Sequence, residues 1–173
     1  MAVKNKISLK GKLKFDPRDS TKKHKSESSW KKTAMIFFED GHDIIKYYSW
    51  FIKKRYGVVL NPPLRKAHVT VINDALRDMS SNDKESLELW EKAKQKWDNK
   101  NMIVTLDLDT MTNGQYWWLR AFYEDNTIFE EIRSDVGLQE PYFSFHMTIG
   151  SPNEYNIDHS NYIHDLLVKN LTF

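Results

Sequence analysis

His68 and Thr70, and again His146 and Thr148, stand two residues apart within otherwise apolar segments, Ala67-His68-Val69-Thr70-Val71 and Phe145-His146-Met147-Thr148-Ile149. In an extended strand alternate side chains share a face. Each histidine therefore lies beside its threonine, while Val69 and Val71, or Met147 and Ile149, turn to the other side. An imidazole titrates near neutrality, so it can hold or release a proton at working pH. Two of them can divide the labour of phosphate ester cleavage. A neutral ring takes the proton of a hydroxyl or water, and an imidazolium protonates the leaving oxygen. A threonine hydroxyl beside each ring can donate to a non-bridging phosphate oxygen and stabilise charge developing at phosphorus. Such chemistry requires no metal, and the chain has no cysteine to bind one as thiolate.

The elements around the two motifs also repeat. Val58-Val59-Leu60-Asn61-Pro62-Pro63 precedes the first motif as Val136-Gly137-Leu138-Gln139-Glu140-Pro141 precedes the second, at a constant offset of 78. Further upstream, Phe37-Phe38-Glu39-Asp40 answers Phe122-Tyr123-Glu124-Asp125 at an offset of 85. The change in offset amounts to about two helical turns and falls where both halves read as a helix. Each half is expected to run strand, helix, loop, histidine-bearing strand, with the two His-Thr pairs on adjacent strands about an approximate two-fold axis.

Periodicity fills in the rest. Residues 33–38 read as a strand, and Ile44-Ile45, Tyr48 and Phe51-Ile52 recur at helical spacing until Gly57. Asn61-Pro62-Pro63 is a rigid loop. Ser81-Asn82-Asp83 offers caps for a helix whose apolar side includes Leu87, Trp90, Ala93 and Trp97. Val104, Leu106 and Leu108 alternate with Thr105, Asp107 and Asp109 in a half-buried strand over 102–109. Thr112-Asn113-Gly114 signals a turn into a strand over 115–123. Helices are expected over 127–136 and 160–168. Few helices and amphipathic strands indicate an α+β fold, with an antiparallel or mixed sheet, helices on its outer side and a polar concave side.

A chain of 173 residues with 29% charged content fits one domain with a substantial core. No apolar run approaches the roughly 18 residues that cross a bilayer, so no membrane association is expected. The lack of cysteine excludes disulfides, and a cytoplasmic location is the simplest reading. The net charge of +2 hides an asymmetry. Residues 1–32 hold eleven Lys or Arg against three acids, leaving the remaining chain net acidic. Lys22-Lys23-His24-Lys25 and its neighbouring serines read as a solvated basic tail, or as an electrostatic arm for a polyanion. Residues 7–15 alternate apolar with basic side chains, which allows a short added strand. The chain divides into a partly flexible basic extension over 1–29 and a single domain over 30–173, with no obligate protein partner indicated.

Strand parity extends the candidate site. Lys66 shares the face of His68, and Tyr142 and Ser144 share that of His146. With Leu119 and Ala121 on the buried side, Tyr116, Trp118, Arg120 and Phe122 fall on the other. Aromatics alternating with an arginine suit base stacking and phosphate contact, and equally suit a core with Arg120 at its rim. Trp90 and Trp97 fit a core-facing helix stripe. His159 and His164, five residues apart, are poorly placed for joint metal ligation.

The pair His68-Val69-Thr70-Val71 and His146-Met147-Thr148-Ile149, on a duplicated strand-helix-strand plan, resembles the 2H phosphoesterase superfamily over about residues 30–155. The resemblance implies a bilobal fold of two antiparallel sheets flanked by helices, with both motifs in a central cleft. It makes His68 and His146 the general acid and base and Thr70 and Thr148 the phosphate binders, with no cofactor. Members of that family act on 2′,3′-cyclic phosphates, 2′-5′ oligoadenylates, RNA ends and cyclic oligonucleotides. The chain's size and its Leu64-Arg65-Lys66-Ala67-His68 approach look similar to the tailed-phage anti-CBASS nucleases, which degrade cyclic oligonucleotide immune signals. That finer likeness implies a phosphodiesterase acting in a host cytoplasm. Two other classes stay open: a nucleotide-binding module that sequesters its ligand unchanged, and an assembly protein using its basic arm.

Overall fold

Lys6–Phe15 (β1) places Leu9, Leu13 and Phe15 on one face and Lys6, Ser8, Lys10, Lys12 and Lys14 on the other. The first set is buried and the second largely solvated, which is what an amphipathic strand on a half-covered sheet requires. The computed structural model describes residues 5–17, 32–63, 65–73, 84–123, 127–139, 141 and 144–153. In order along the chain there follow Ala34–Phe38 (β2), Gly41–Tyr56 (α1), His68–Ile72 (β3), Lys84–Trp97 (α2), Asn101–Thr112 (β4), Trp117–Phe122 (β5), Thr127–Asp135 (α3) and His146–Gly150 (β6). The expected helix over 160–168 and the caps Ser81-Asn82-Asp83 lie outside the described residues.

The fold is α+β, and the six strands among the described residues form one antiparallel sheet in the order β1-β2-β3-β6-β5-β4, closed by the pairing of β4 with β1. The strands are thus joined in one ring, where the family resemblance implied two sheets. The strand that closes it is β1, paired from Lys6 to Lys12 with β4 and from Gly11 to Phe15 with β2. The sheet therefore begins at Lys6, inside the stretch read from the sequence as an extension. Closure removes the open edges that would otherwise invite pairing with other chains.

An α-helix is about 10–12 Å across, too wide for the lumen of a six-stranded ring, so the three helices must cover its outer face. The burial pattern agrees. Ile45, Tyr48 and Ile52 of α1, Trp90, Ala93 and Trp97 of α2, and Phe129 and Ile132 of α3 join Leu13, Ile36, Val69, Leu119 and Met147 in one core. Burying each large apolar side chain contributes about 1.5–3 kcal/mol. Leu87, expected on the apolar side of α2, is 45% exposed, because it sits one turn before the part of that helix that reaches the sheet.

Helix α1 ends at Gly57, whose left-handed φ of 70° lets its N–H return to the Lys53 carbonyl, with Lys53, Lys54 and Arg55 favourably placed at the negative end of the dipole. The shorter α3 has 9 residues against 16 in α1, so the change in repeat offset falls at this helix. Two polar ties hold helices to the sheet. The Tyr48 hydroxyl donates to the Leu108 carbonyl at 2.9 Å, where β4 is bulged against β5. Buried Arg133 of α3 donates through Nη1 to the Val71 carbonyl at 2.9 Å and through Nε to the Gln139 carbonyl at 3.0 Å.

Candidate active site

β3 and β6, the two motif strands, are antiparallel neighbours, and their register pair is Val69 with Met147. Both of these side chains are fully buried in the outer core, so His68, Thr70, His146 and Thr148 all lie on the inner face, each half-buried. Extending the antiparallel register by one residue sets His68 across from Thr148 and Thr70 across from His146. Each histidine thus faces the threonine of the other repeat. The two histidines occupy diagonal positions, roughly 7–8 Å apart by sheet geometry. This spacing leaves room for a phosphate between the rings.

Both rings are held in the same way. His68 Nδ1 lies 2.7 Å from the Lys66 carbonyl, and His146 Nδ1 lies 2.6 Å from the Ser144 carbonyl. A carbonyl only accepts, so each Nδ1 carries its hydrogen in both protonation states, and proton transfer must run through Nε2. Lys66 and Ser144 therefore serve the histidines through their backbones, and both residues are exposed. The symmetry continues outward. Phe38 N–H donates to the Ala67 carbonyl at 3.0 Å, and Ala121 N–H donates to the Phe145 carbonyl at 2.9 Å.

These bonds equate Phe38 with Ala121, and Phe37 with Arg120. The structural offset of β2 and β5 is therefore two residues less than the one suggested by the repeated Phe, Glu and Asp letters. The letters match Phe37 with Phe122, the last residue of β5, whereas the strand pairing matches it with Arg120.

Cross-strand rows define what surrounds the four motif residues. Phe37 pairs with His68 and Met35 with Thr70 on one side, and Arg120 pairs with His146 and Trp118 with Thr148 on the other. The Phe37 ring lies 5.6 Å from the His68 ring, and the Trp118 ring 5.9 Å from that of His146. Arg120 donates to Asp107 at 2.9 Å. A pair this exposed adds little stability, and its effect is to fix where the guanidinium points. One strand further round, Lys12 pairs with Phe37 and Lys14 with Met35.

Glycines allow the close approaches that seat both motifs. A Cβ on Gly41 would collide with Ala67, the residue before His68. One on Gly150 would collide with the Asn61 carbonyl oxygen, which already accepts the Ser151 N–H at 3.1 Å.

The inner face thus gathers His68, Thr70, His146, Thr148, Trp118 and Arg120. Tyr116 stands apart from them, half-buried in the β4–β5 turn, where its N–H donates to Asn113 Oδ1 and burial pushes its phenol up from the ordinary value. Tyr142 lies outside the described residues. Sequence reasoning passed over Phe37, Lys12, Lys14 and Asp107. The alternation in residues 7–15 was visible, but only the strand pairing shows that its basic face joins that of His68. Among the described residues no three His, Cys, Asp or Glu side chains come together as a metal-binding group. No protein-family model, curated protein or solved structure matches the chain.

Proposed function

We propose that this protein is a phosphodiesterase of the 2H type that cleaves a small nucleotide without a metal, with cyclic oligonucleotides carrying 3′-5′ linkages as its substrate class. The observation that supports this reading is the cross-strand arrangement of two imidazoles, each fixed at Nδ1 by the carbonyl two residues upstream, with a threonine of the other repeat opposite. In this reading the runs β1-β2-β3 and β6-β5-β4 are the two lobes of the duplicated fold, and the inner face is the cleft between them. The protein acts in a cytoplasm, as its viral-type likeness implies.

The chemistry follows from the atoms available. A scissile phosphate between the rings receives hydrogen bonds from Thr70 and Thr148 on its non-bridging oxygens. One imidazole takes the proton of the substrate's 2′-hydroxyl through Nε2 as that oxygen attacks phosphorus. The other, entering as imidazolium, gives its Nε2 proton to the departing 5′-oxygen. The P–O5′ bond breaks, and the products are a 2′,3′-cyclic phosphate and a free 5′-hydroxyl. The rings end with their protonation states exchanged. Arg120 and Trp118 adjoin His146 and are placed to contact the phosphate and stack a base.

The test is a product screen in EDTA with 2′,3′-cyclic mononucleotides, 2′-5′ oligoadenylate and 3′-5′ cyclic di- and trinucleotides. His68→Ala and His146→Ala should each lower kcat/KM on the order of 10²–10⁴-fold with an unchanged circular dichroism spectrum. Unaltered turnover in both variants would sink the proposal. Recovery of every ligand intact after long incubation with concentrated wild-type protein would assign the chain to sequestration instead.

A further inference from the structure

On the side of His68 away from His146, the ring of Phe37 forms the near wall of a cavity of about 450 Å³. Lys14, Arg65 and Lys66 line it together with Asp16 and Asp98. Its size falls within the roughly 300–1,000 Å³ typical of small-molecule sites. The paired His-Thr motifs do not account for it.

The charges in this wall are unequally committed. Asp16 accepts hydrogen bonds from the Lys32 N–H, Trp90 Nε1 and Lys94 Nζ, the last of which neutralises it. Asp98 accepts from the Phe15 N–H and from Asn99 Nδ2. Both carboxylates are thus turned to the protein's own donors. Lys14 donates to the Asn99 side chain, and buried Arg65 donates to the Pro17 carbonyl. With Asp16 balanced by Lys94, the three remaining cations outweigh Asp98, and Lys12 on the neighbouring row adds to the same side. The opposite flank of the motifs differs, because Arg120 there is paired with Asp107. Among the described residues the excess of cations over carboxylates is therefore larger on the Phe37 side of the scissile position than on the other, where Arg120 and Lys6 face Asp107. A low-dielectric concave wall of one sign draws in an anion, and an aromatic ring between that wall and the imidazole offers a base a stacking surface.

We propose that this cavity is a second nucleotide subsite, in which Lys14 and Lys66 bind the phosphate adjoining the scissile one and Phe37 stacks the intervening base. The consequence is selectivity for substrates with at least two phosphates over a lone 2′,3′-cyclic phosphate. This inference rests on the phosphodiesterase reading, but binding alone tests it.

The experiment uses the full chain with His146→Ala to prevent turnover, and isothermal titration with two probes, 3′-5′ cyclic tri-adenylate and adenosine 2′,3′-cyclic phosphate. Adding Lys14→Gln and Lys66→Gln should weaken the trinucleotide on the order of a hundredfold, about tenfold for each charged contact. The mononucleotide should weaken on the order of threefold or less, because only screened longer-range attraction is lost. Lys54→Gln, on exposed α1, is the control and should alter neither. Phe37→Leu, which keeps an apolar side chain but removes the ring, should weaken the trinucleotide selectively. Equal weakening of both probes by the lysine pair, no weakening, or no trinucleotide binding by the His146→Ala chain overturns the proposal. Lysine-dependent binding together with absent wild-type turnover upholds the subsite and removes only the phosphodiesterase reading.

Discussion

Arg133 joins the second half of the chain to the first, and replacing it tests whether the motif strand depends on that join. Arg133 is 3% exposed, and its guanidinium spans two carbonyls, that of Val71, directly after Thr70 in β3, and that of Gln139, in the segment leading to β6. Arg133→Met keeps an unbranched apolar stem, so most of the contact between α3 and the sheet survives. What disappears includes a pair of charge-assisted hydrogen bonds. The Val71 carbonyl is buried and left without this donor at a cost of about 1–3 kcal/mol. Gln139 is exposed, so its carbonyl regains water and the loss there is nearer 1 kcal/mol. Removing a desolvated charge offsets part of both. The expected net destabilisation is about 2–3 kcal/mol. Arg133→Lys should lose nearly as much, because one ammonium cannot reach both acceptors in the fork geometry of a guanidinium.

Urea unfolding followed by tryptophan fluorescence reads this directly, as a lower midpoint at unchanged slope. Turnover should also fall, because β3 carries His68 and Thr70 immediately beside the released carbonyl. A change within about 0.5 kcal/mol, the range of ordinary surface substitutions, would refute the reasoning, as would a lysine variant equal to wild type.

Two other predictions probe the supports of the site. Gly150→Ala places a Cβ against the Asn61 carbonyl oxygen and 3.1 Å from Leu60 Cβ, and backbone on that side cannot yield cheaply. It should cost about 1–3 kcal/mol and lower turnover by shifting Thr148, two residues away in β6, as read by unfolding midpoint and kcat/KM. At the α2–α3 contact, burial opposes ionisation of Asp135, but hydrogen bonds from Lys96 and Trp97 outweigh it together and hold its carboxyl below the ordinary 3.8. Because the folded value is depressed, this stability is fully present above pH 3.8 and is lost as pH falls through the lower native value. Asp135→Asn should therefore destabilise the protein by a constant amount near neutrality and by a shrinking amount in acid. A difference between wild type and variant that grows on acidification would contradict the sign.

The motif residues were legible because a period of two and a repeated pattern are local properties of the chain. His68 and Thr70 had to share a face once Val69 and Val71 were assigned to the core, and the same held for the second motif. The C-terminal end and core face of α1 followed from Ile45, Tyr48, Ile52 and Gly57 in the same way. The position of β1 was less accessible. Its alternation shows that one face is apolar, but the choice of β2 and β4 as neighbours is made by contacts roughly 25 and 95 residues away in the chain, which no local pattern records. Lys66 and Ser144 show another limit. Parity places their side chains beside the histidines, but what they supply to the rings is a backbone carbonyl, and every residue type has one. Leu87 illustrates the reverse error, since helical spacing marks a face without telling how far along the helix the sheet extends.

Duplication supplies two chemically alike halves, and that likeness leaves the direction of proton transfer undetermined by the motifs themselves. Each ring has the same carbonyl tie, and each lies across from the other repeat's threonine, so neither is predisposed to be base or acid. Whatever assigns the roles must break the two-fold relation. The described structure does so only outside the motif strands, where Phe37 with Lys12 and Lys14 stands in the place that Arg120 with Asp107 takes in the other half. Under the proposed reading, a ligand with one phosphate meets the same two imidazoles and two threonines in either orientation, and only the flanking Phe37, or Trp118 with Arg120, distinguishes the two. A ligand with a second phosphate is drawn toward the lysine side, and its 2′-hydroxyl is then presented to one ring alone. In the proposed subsite, substrate length and catalytic direction are consequently set by the same residues, Lys14 of β1, Phe37 of β2 and Lys66 just before β3.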